Sequence, residues 1–229
     1  MFDLRGYGFS IMEGALLTIE VALISLAIAV ILGMLGALAK LSKSRFAQIS
    51  ATVYTTVIRG IPDLVLMLLL FFGGQVLINK LAAVFDYQEY IDINPFTAGV
   101  LTIGFIFGAY MTETFRGAIM AVPRGQLEAG YAYGMTRWQV FVRILLPQMI
   151  RHALPGFGNN WLVLLKTTAL VSIIGLDDMV RKASLAAGAT RLPFTFYLVV
   201  ALGFLVFTTI SVLLLRWAEK RYSVGFQQG

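Results

Sequence analysis

Long apolar runs separated by short charged clusters set the pattern of this chain. Residues 21–39 carry no charge, and residues 15–39 carry only Glu20. Residues 192–215 are uncharged throughout, and residues 153–176 are interrupted only by Lys166. A fourth run, residues 95–112, extends through Glu113 to residue 115, and a fifth, residues 48–78, holds the sequence "RGIPD" in its first half. A helix needs roughly 20 residues to cross about 30 Å of hydrocarbon. The pattern therefore predicts an all-α polytopic membrane protein with five spans, over residues 15–39, 48–78, 95–115, 153–176 and 192–215. Residues 1–229 form one transmembrane domain on this reading, with no fixed-period repeat and no low-complexity tract.

The longest stretch between spans, residues 116–152, has a different texture. Within it, residues 122–147 predict two short helices set at an angle. Pro123 suits a helix start, where its missing N–H is no loss, and the first helix then covers Arg124 to Tyr133. Gly134 suits a left-handed stop. Thr136 and Gln139 have capping-box spacing and start a second helix, which Pro147 should end or kink. Trp138, Phe141, Val142 and Leu145 share one stripe of that helix, while Arg137 and Gln139 project elsewhere. Such a pair can lie on the membrane surface, or present its aromatic face to a groove in a partner. Composition does not choose between them.

Composition sharpens the membrane reading. The chain is 59% hydrophobic and only 13% charged, with mean hydropathy +0.82, where soluble domains carry about 25% charged residues. The net charge of +6 is scattered between apolar runs, so it marks topology and not nucleic acid. Lysine and arginine number eleven in the loop after the first span, the 116–151 stretch and the segment after the last span, against five on the alternate side. That puts the N-terminus outside and the C-terminus inside. "GALA", ending at Ala39, resembles a cleavage site, but the apolar run before it is too long and the positive charges follow it, so the first span stays uncleaved. The chain has no cysteine and one histidine, His152, which excludes disulfides and argues against a protein-held metal.

Charge inside a membrane is expensive and faces a cavity, a partner or another charge. Arg59 and Asp63 stand four residues apart and could pair; Gly60 and Pro62 between them would interrupt regular helix, tolerated only against protein or water. Asp63 alternatively supplies a negative field for a cationic ligand. Glu113 has Arg116 one turn later and Lys166 as another prospective partner, or else lies on a translocation path. Lys166 needs a carboxylate nearby, or receives one from a substrate. Arg59, Asp63, Glu113 and Lys166 are thus the candidate pathway residues.

The stretch "EAGYAYGMTRWQVFVRILLP" resembles the EAA motif of ABC importer permeases, in which Glu-Ala-Ala is followed by three residues, glycine, nine residues and Ile-x-Leu-Pro. Here these positions are Glu128, Ala129, Gly130, Gly134, Ile144, Leu146 and Pro147; Gly130 replaces the second alanine, at about 1 kcal/mol of helix propensity. "RGIPDLVLMLLLFF", "YMTETFRGAIMAVPRGQLEAG" and "LLKTTALVSIIGLDDM" are similar to segments of polar amino-acid permeases in the same order. Asp63 after the proline resembles the histidine/lysine–arginine–ornithine subgroup and its opine-uptake relatives. The resemblance implies a type I importer permease with five spans in a bacterial inner membrane, moving polar and chiefly basic amino acids, with opines as the alternative cargo. It implies a sister permease, usually non-identical, a dimer of nucleotide-binding subunits and a periplasmic amino-acid-binding protein. It also assigns ATP and magnesium to the partner ATPase and none to this chain, which has no G-x-x-x-x-G-K-[ST]. Residues 122–147 would couple that ATPase to the membrane, with Arg137, Trp138 and Phe141 among the coupling residues. From other classes, a secondary transporter would show inverted repeats, which are not found; a purely structural membrane subunit is the remaining rival.

Overall fold

The computed structural model describes residues 4–87 and 89–223, and every regular element among them is helical. In chain order these are α1 (Gly8–Leu41), α2 (Arg45–Gly60), α3 (Asp63–Val84), α4 (Pro95–Met120), α5 (Arg124–Ala132) and α6 (Arg137–Val140). A π-helical turn (Phe141–Leu145) leads into α7 (Leu146–Thr167), followed by a 3-10 turn (Thr168–Ser172), α8 (Met179–Thr190) and α9 (Pro193–Ser223).

Four of the described helices are long and apolar enough to cross a membrane: Gly8–Leu41, Asp63–Val84, Pro95–Met120 and Pro193–Tyr222. They contain or overlap four of the five expected spans. The fifth expected span, residues 153–176, corresponds to most of α7 plus the 3-10 turn. α7 has the length, 22 residues, but Arg151, His152, Asn159, Asn160 and Lys166 make it less apolar than the others. The expected span over residues 48–78 is not one helix. Ile61 and Pro62 take extended backbone (ψ 137° and 136°), because proline lacks the N–H that would continue α2 and disfavours helix at the residue before it.

α1 and α4 form the centre. Burial ranks the helices: 67% of the most apolar window of α4 lies inside the chain, against 11% for α3 and for α9. Apolar helices in lipid gain little from burying more hydrocarbon, so close approach through small residues holds them together. Added Cβ atoms show how close this seam is. One at Gly104 would lie 2.7 Å from Ile28 Cγ2, one at Gly108 2.8 Å from Leu32 Cβ, and those at Gly33 and Gly36 would collide with Met111 and Thr112. The hydroxyl of Ser25 donates across the seam to the carbonyl of Val100 (3.2 Å). α7 joins α4 through Asn160 Nδ2, which donates to Thr114 Oγ1 (2.9 Å), an interhelical bond of the kind worth about 0.6 kcal/mol in lipid.

At one end of the bundle, α8 packs on α1 and α9 around Ile11, Met179, Ala183, Ala186 and Phe196. At the same end two amides on α3 hold the segment that leads into α4. Gln75 and Asn79 both donate to the carbonyl of Ile91, and they accept from the N–H groups of Ile93 and Ile91 (2.8 Å each). The backbone of an otherwise irregular loop is satisfied this way without a second strand.

Candidate functional site

The connector between α4 and α7 is built from local hydrogen bonds. α5 begins after Pro123 and ends in a Schellman motif: Gly134 N–H donates to the carbonyl of Tyr131 (2.9 Å) and Met135 N–H to that of Gly130 (3.1 Å). Gly134 sits at φ +76°, the left-handed stop its position predicts. Thr136 and Gln139 close the capping box in both directions (2.8 and 3.3 Å).

The second helix does not end before Pro147. A π-helical turn, Phe141–Leu145, carries it on, with Leu146 N–H donating to the carbonyl of Phe141, and Pro147 falls in the first turn of α7. Proline is tolerated there because the first N–H groups of a new α-helical register have no partner to lose.

The connector's aromatic surface is largely open. Trp138 is 71% exposed and Tyr133 88%, and the Trp138 ring stacks on Phe141 with centroids 5.7 Å apart. Glu128, Ala129, Arg137 and Pro147 are exposed, and Ile144 and Leu146 are half-buried. Gly130 is buried in the crook of the two helices, where an added Cβ would meet Ile144 Cδ1 at 2.5 Å and Val140 Cγ2 at 3.1 Å. The departure from alanine at this position thus has a packing reason.

The intramembrane charges do not pair as the sequence suggests. The break at Ile61–Pro62 separates Arg59 from Asp63, and no ion pair joins them among the described residues. Arg59 instead lies over the Tyr110 ring, 5.4 Å from its centroid. Glu113 bonds Arg116 (2.9 Å), as expected, and Lys40 in place of Lys166. Lys40 also donates to Thr55 Oγ1 (2.6 Å). Lys166 is exposed and makes no ion pair within the described residues, because its side of α7 is left uncovered, so neither the second nor the third expected span of this chain supplies its carboxylate.

Arg59 and Glu113 meet in one recess of about 330 Å³, together with Lys40, Thr55, Thr56 and Tyr110. Asp63 and Lys166 do not line it. Lys40, Thr55 and Tyr110 were missed in the sequence. Lys40 counts there as a topology marker, and only the register of the glycine seam brings it opposite Glu113.

At the other end of α1, Asp178 is fully buried. It caps α8, accepting from Arg181 N–H (3.0 Å), and its second oxygen Oδ2 has no hydrogen-bond partner. Gly14 makes room, since a Cβ there would lie 2.8 Å from the Asp178 backbone. Burial pushes the Asp178 carboxyl up to about 6, against the opposing pull of backbone N–H groups and the Arg181 charge. Asp177 is exposed and pairs with Arg181 (3.1 Å). No group of three His, Cys, Asp or Glu that could hold a metal occurs among the described residues.

Residues 12–224 match the family of binding-protein-dependent transport system inner membrane components. The chain is 53% identical to the permease protein HisQ of the histidine/lysine/arginine/ornithine transport system of Escherichia coli, over 97% of this chain and 98% of that one. It is 42% identical to the octopine transport system permease protein OccQ of Rhizobium radiobacter, over 100% of this chain and 96% of the relative. Among solved structures, a crystal structure of an amino acid ABC transporter with histidines superposes with a TM-score of 0.81 at 32% identity, covering 96% of this chain and 98% of that one.

Proposed function

The chain belongs to the family of binding-protein-dependent transport system inner membrane components, and from that premise we propose how its parts divide the work of import. It is a multi-pass inner-membrane protein and the transmembrane permease subunit of an ABC-type importer for amino acids of the histidine, lysine, arginine and ornithine class. The likeness to HisQ along essentially the whole chain carries this reading, and its excess over the likeness to OccQ favours basic amino acids over opines. The chain is a transport component without catalytic machinery of its own, and nucleotide-binding subunits of the same importer hydrolyse ATP.

In our reading the chain crosses the membrane five times, α7 with its 3-10 turn being the additional crossing, with the N-terminus periplasmic and the C-terminus cytoplasmic. The excess of lysine and arginine on the connector side supports that orientation. A sister permease, in this family usually a non-identical chain, completes the pathway; a dimer of nucleotide-binding subunits carries ATP and magnesium, and a periplasmic binding protein delivers substrate. The α5–α6 corner docks on the nucleotide-binding subunit. Its exposed Trp138, stacked on the half-buried Phe141, supports this, since docking interfaces are anchored by large aromatics, and the paired caps let the corner move as a unit.

Closure of the ATPase dimer then opens the permease outward, and hydrolysis reopens it inward. The recess of Lys40, Arg59, Tyr110 and Glu113 is the candidate path lining. Lys40 and Arg116 already pair with Glu113, so the recess suits the substrate carboxylate, received by Arg59, while the substrate's extra cation needs a carboxylate elsewhere on the path. Asp63, beyond the helix break, and Lys166, on an uncovered side of α7, would complete the path with the sister chain.

The deciding measurement is ATPase stimulation of the reconstituted importer by loaded binding protein. Trp138→Ala should abolish most of it while the complex still co-purifies; unchanged stimulation refutes the docking role, and transport without any ATPase would point to a secondary transporter. Labelling of a cysteine placed at residue 138 from outside sealed cells would refute the orientation. Asp63→Asn should impair uptake of cationic substrate with assembly intact, and unaltered uptake kinetics remove Asp63 from the path.

A further inference from the structure

We propose that the break between α2 and α3 reads the amino-acid end that all the substrates share: Arg59 takes the α-carboxylate, and the open backbone carbonyls at Gly60 take the α-ammonium. The inference rests on the import reading above and deepens it, by naming the part of the substrate that the recess beside Glu113 receives.

The backbone supplies the first argument. α2 ends at Gly60, and Ile61 and Pro62 are extended. The last carbonyls of a helix have no following turn of N–H groups to accept from, and Pro62 has no N–H to offer. Among the described residues, no backbone N–H donates across the break to the carbonyls of Arg59, Gly60 or Ile61. Inside a membrane such groups need protein, water or a ligand. They form the negative end of the helix dipole, and ends of this kind in broken membrane helices hold cations. Gly60 lines the recess of about 330 Å³, and lacking a side chain it does so with backbone alone.

The glycine itself is the second. Its φ is not left-handed, and an added Cβ would meet nothing within 4 Å. Neither the turn nor the packing of this chain therefore asks for glycine, although glycine destabilises a helix relative to alanine. What its missing side chain provides is space in the recess, directly against the open carbonyls.

The third argument is the neighbouring cation. Arg59 lies over the Tyr110 ring, 5.4 Å from its centroid, and no carboxylate pairs with it among the described residues. Lys40 and Arg116 are already engaged by Glu113, so Arg59 is the cation that an entering carboxylate meets. Its N–H fork matches a carboxylate. An α-carboxylate and an α-ammonium sit on one carbon atom, and the guanidinium and the carbonyl that receive them belong to adjacent residues. A zwitterionic end also adds no net charge to the recess.

The test is equilibrium binding of radiolabelled arginine to the purified permease–ATPase complex without binding protein, so that only the membrane site is read. Unlabelled arginine, lysine and histidine should displace the label. Agmatine, which lacks the carboxylate, and Nα-acetylarginine, which lacks the ammonium, should each compete about tenfold less well, having lost one charge-assisted contact. Gly60→Val puts a branched side chain into the open space and should weaken all three amino acids alike, by about tenfold, while the complex co-purifies and melts as the parent does. Gly60→Ala should give a smaller loss in the same direction. Equal competition by either analogue overturns the proposal, as does unchanged binding in both glycine variants. Loss of the sister permease from the Gly60→Val complex would also overturn it, by making the glycine a packing residue between chains. An unaltered complex that binds none of the three amino acids would sink the import reading together with this inference, whereas failure in the analogues or variants alone leaves that reading standing.

Discussion

Along α1 and α4, glycines 33, 36, 104 and 108 press two long helices together, and residues more than seventy positions apart meet. At the α5–α6 corner, every defining hydrogen bond joins residues within five positions of each other, and the large side chains point away. The seam gains its geometry from distant packing and has little surface to offer a partner. The corner holds its shape by itself and keeps its aromatic surface available. A change in the seam should therefore register as lost stability, and a change in the corner as lost coupling.

Gly33→Ile tests the seam most severely. Its side chain would run into Met111 at Cβ and at the backbone, neither of which can swing aside. Overpacking of this kind costs about 1–3 kcal/mol or more, so the variant should accumulate poorly in the membrane and unfold at lower temperature in detergent. Normal thermal stability would mean that α1 and α4 are less tightly joined than described.

Asp178→Asn extends the test to the N-terminal end of α1. An acid whose pKa is higher in the fold than in the unfolded chain binds a proton on folding. Its contribution is then most favourable below about pH 4, falls as pH rises to about 6, and stays level above that. Asparagine keeps the cap to Arg181 N–H and does not ionise. The variant should match the parent in melting temperature near pH 4 and exceed it near pH 7, by about 1–3 kcal/mol. Parallel melting curves across that range would show that Asp178 is not the group responsible.

In the corner, Gly134→Ala places a side chain at φ +76°, a conformation costing roughly 1–2 kcal/mol. The strain is local, so ATPase stimulation should fall severalfold while the melting temperature of the bundle holds. A drop in melting temperature as large as that of Gly33→Ile would erase the contrast between the two regions. Gly130→Ala should have the smallest effect. Alanine regains about 1 kcal/mol of helix propensity, which offsets moving the flexible end of Ile144 and a shift of a few tenths of an ångström at Val140, so stability and ATPase stimulation should stay near the parent values.

The same contrast governs what the sequence made legible. Gly134, Thr136 with Gln139, and the start after Pro123 could be placed to the residue because the chemistry that sets them lies within a few positions. The apolar runs located α1, α4 and α9 because hydrocarbon thickness imposes a length. The partners of charge were another matter. Lys40 reaches Glu113 only because the glycines bring α1 and α4 into one register, and Asp178 is buried only because Gly14 admits its backbone. The interruption between α2 and α3 was legible too, because Gly60 and Pro62 stand within that run and the rule that breaks the helix there is local; run length alone did not show that the long apolar helix begins only after it. Pro147 erred in the opposite direction, since a π-helical turn lets the chain pass a proline that an α-helix would not accept.

That turn also sets a phase. Phe141–Leu145 accommodates one residue beyond an α-helical repeat, and α6 and α7 run through it without a non-helical residue between them. Deleting a single residue there would rotate everything upstream by about 100° around the axis. Trp138 would swing with it, like a gear meshed one tooth out. The direction in which that tryptophan faces, relative to α7, is thus set by this one surplus residue.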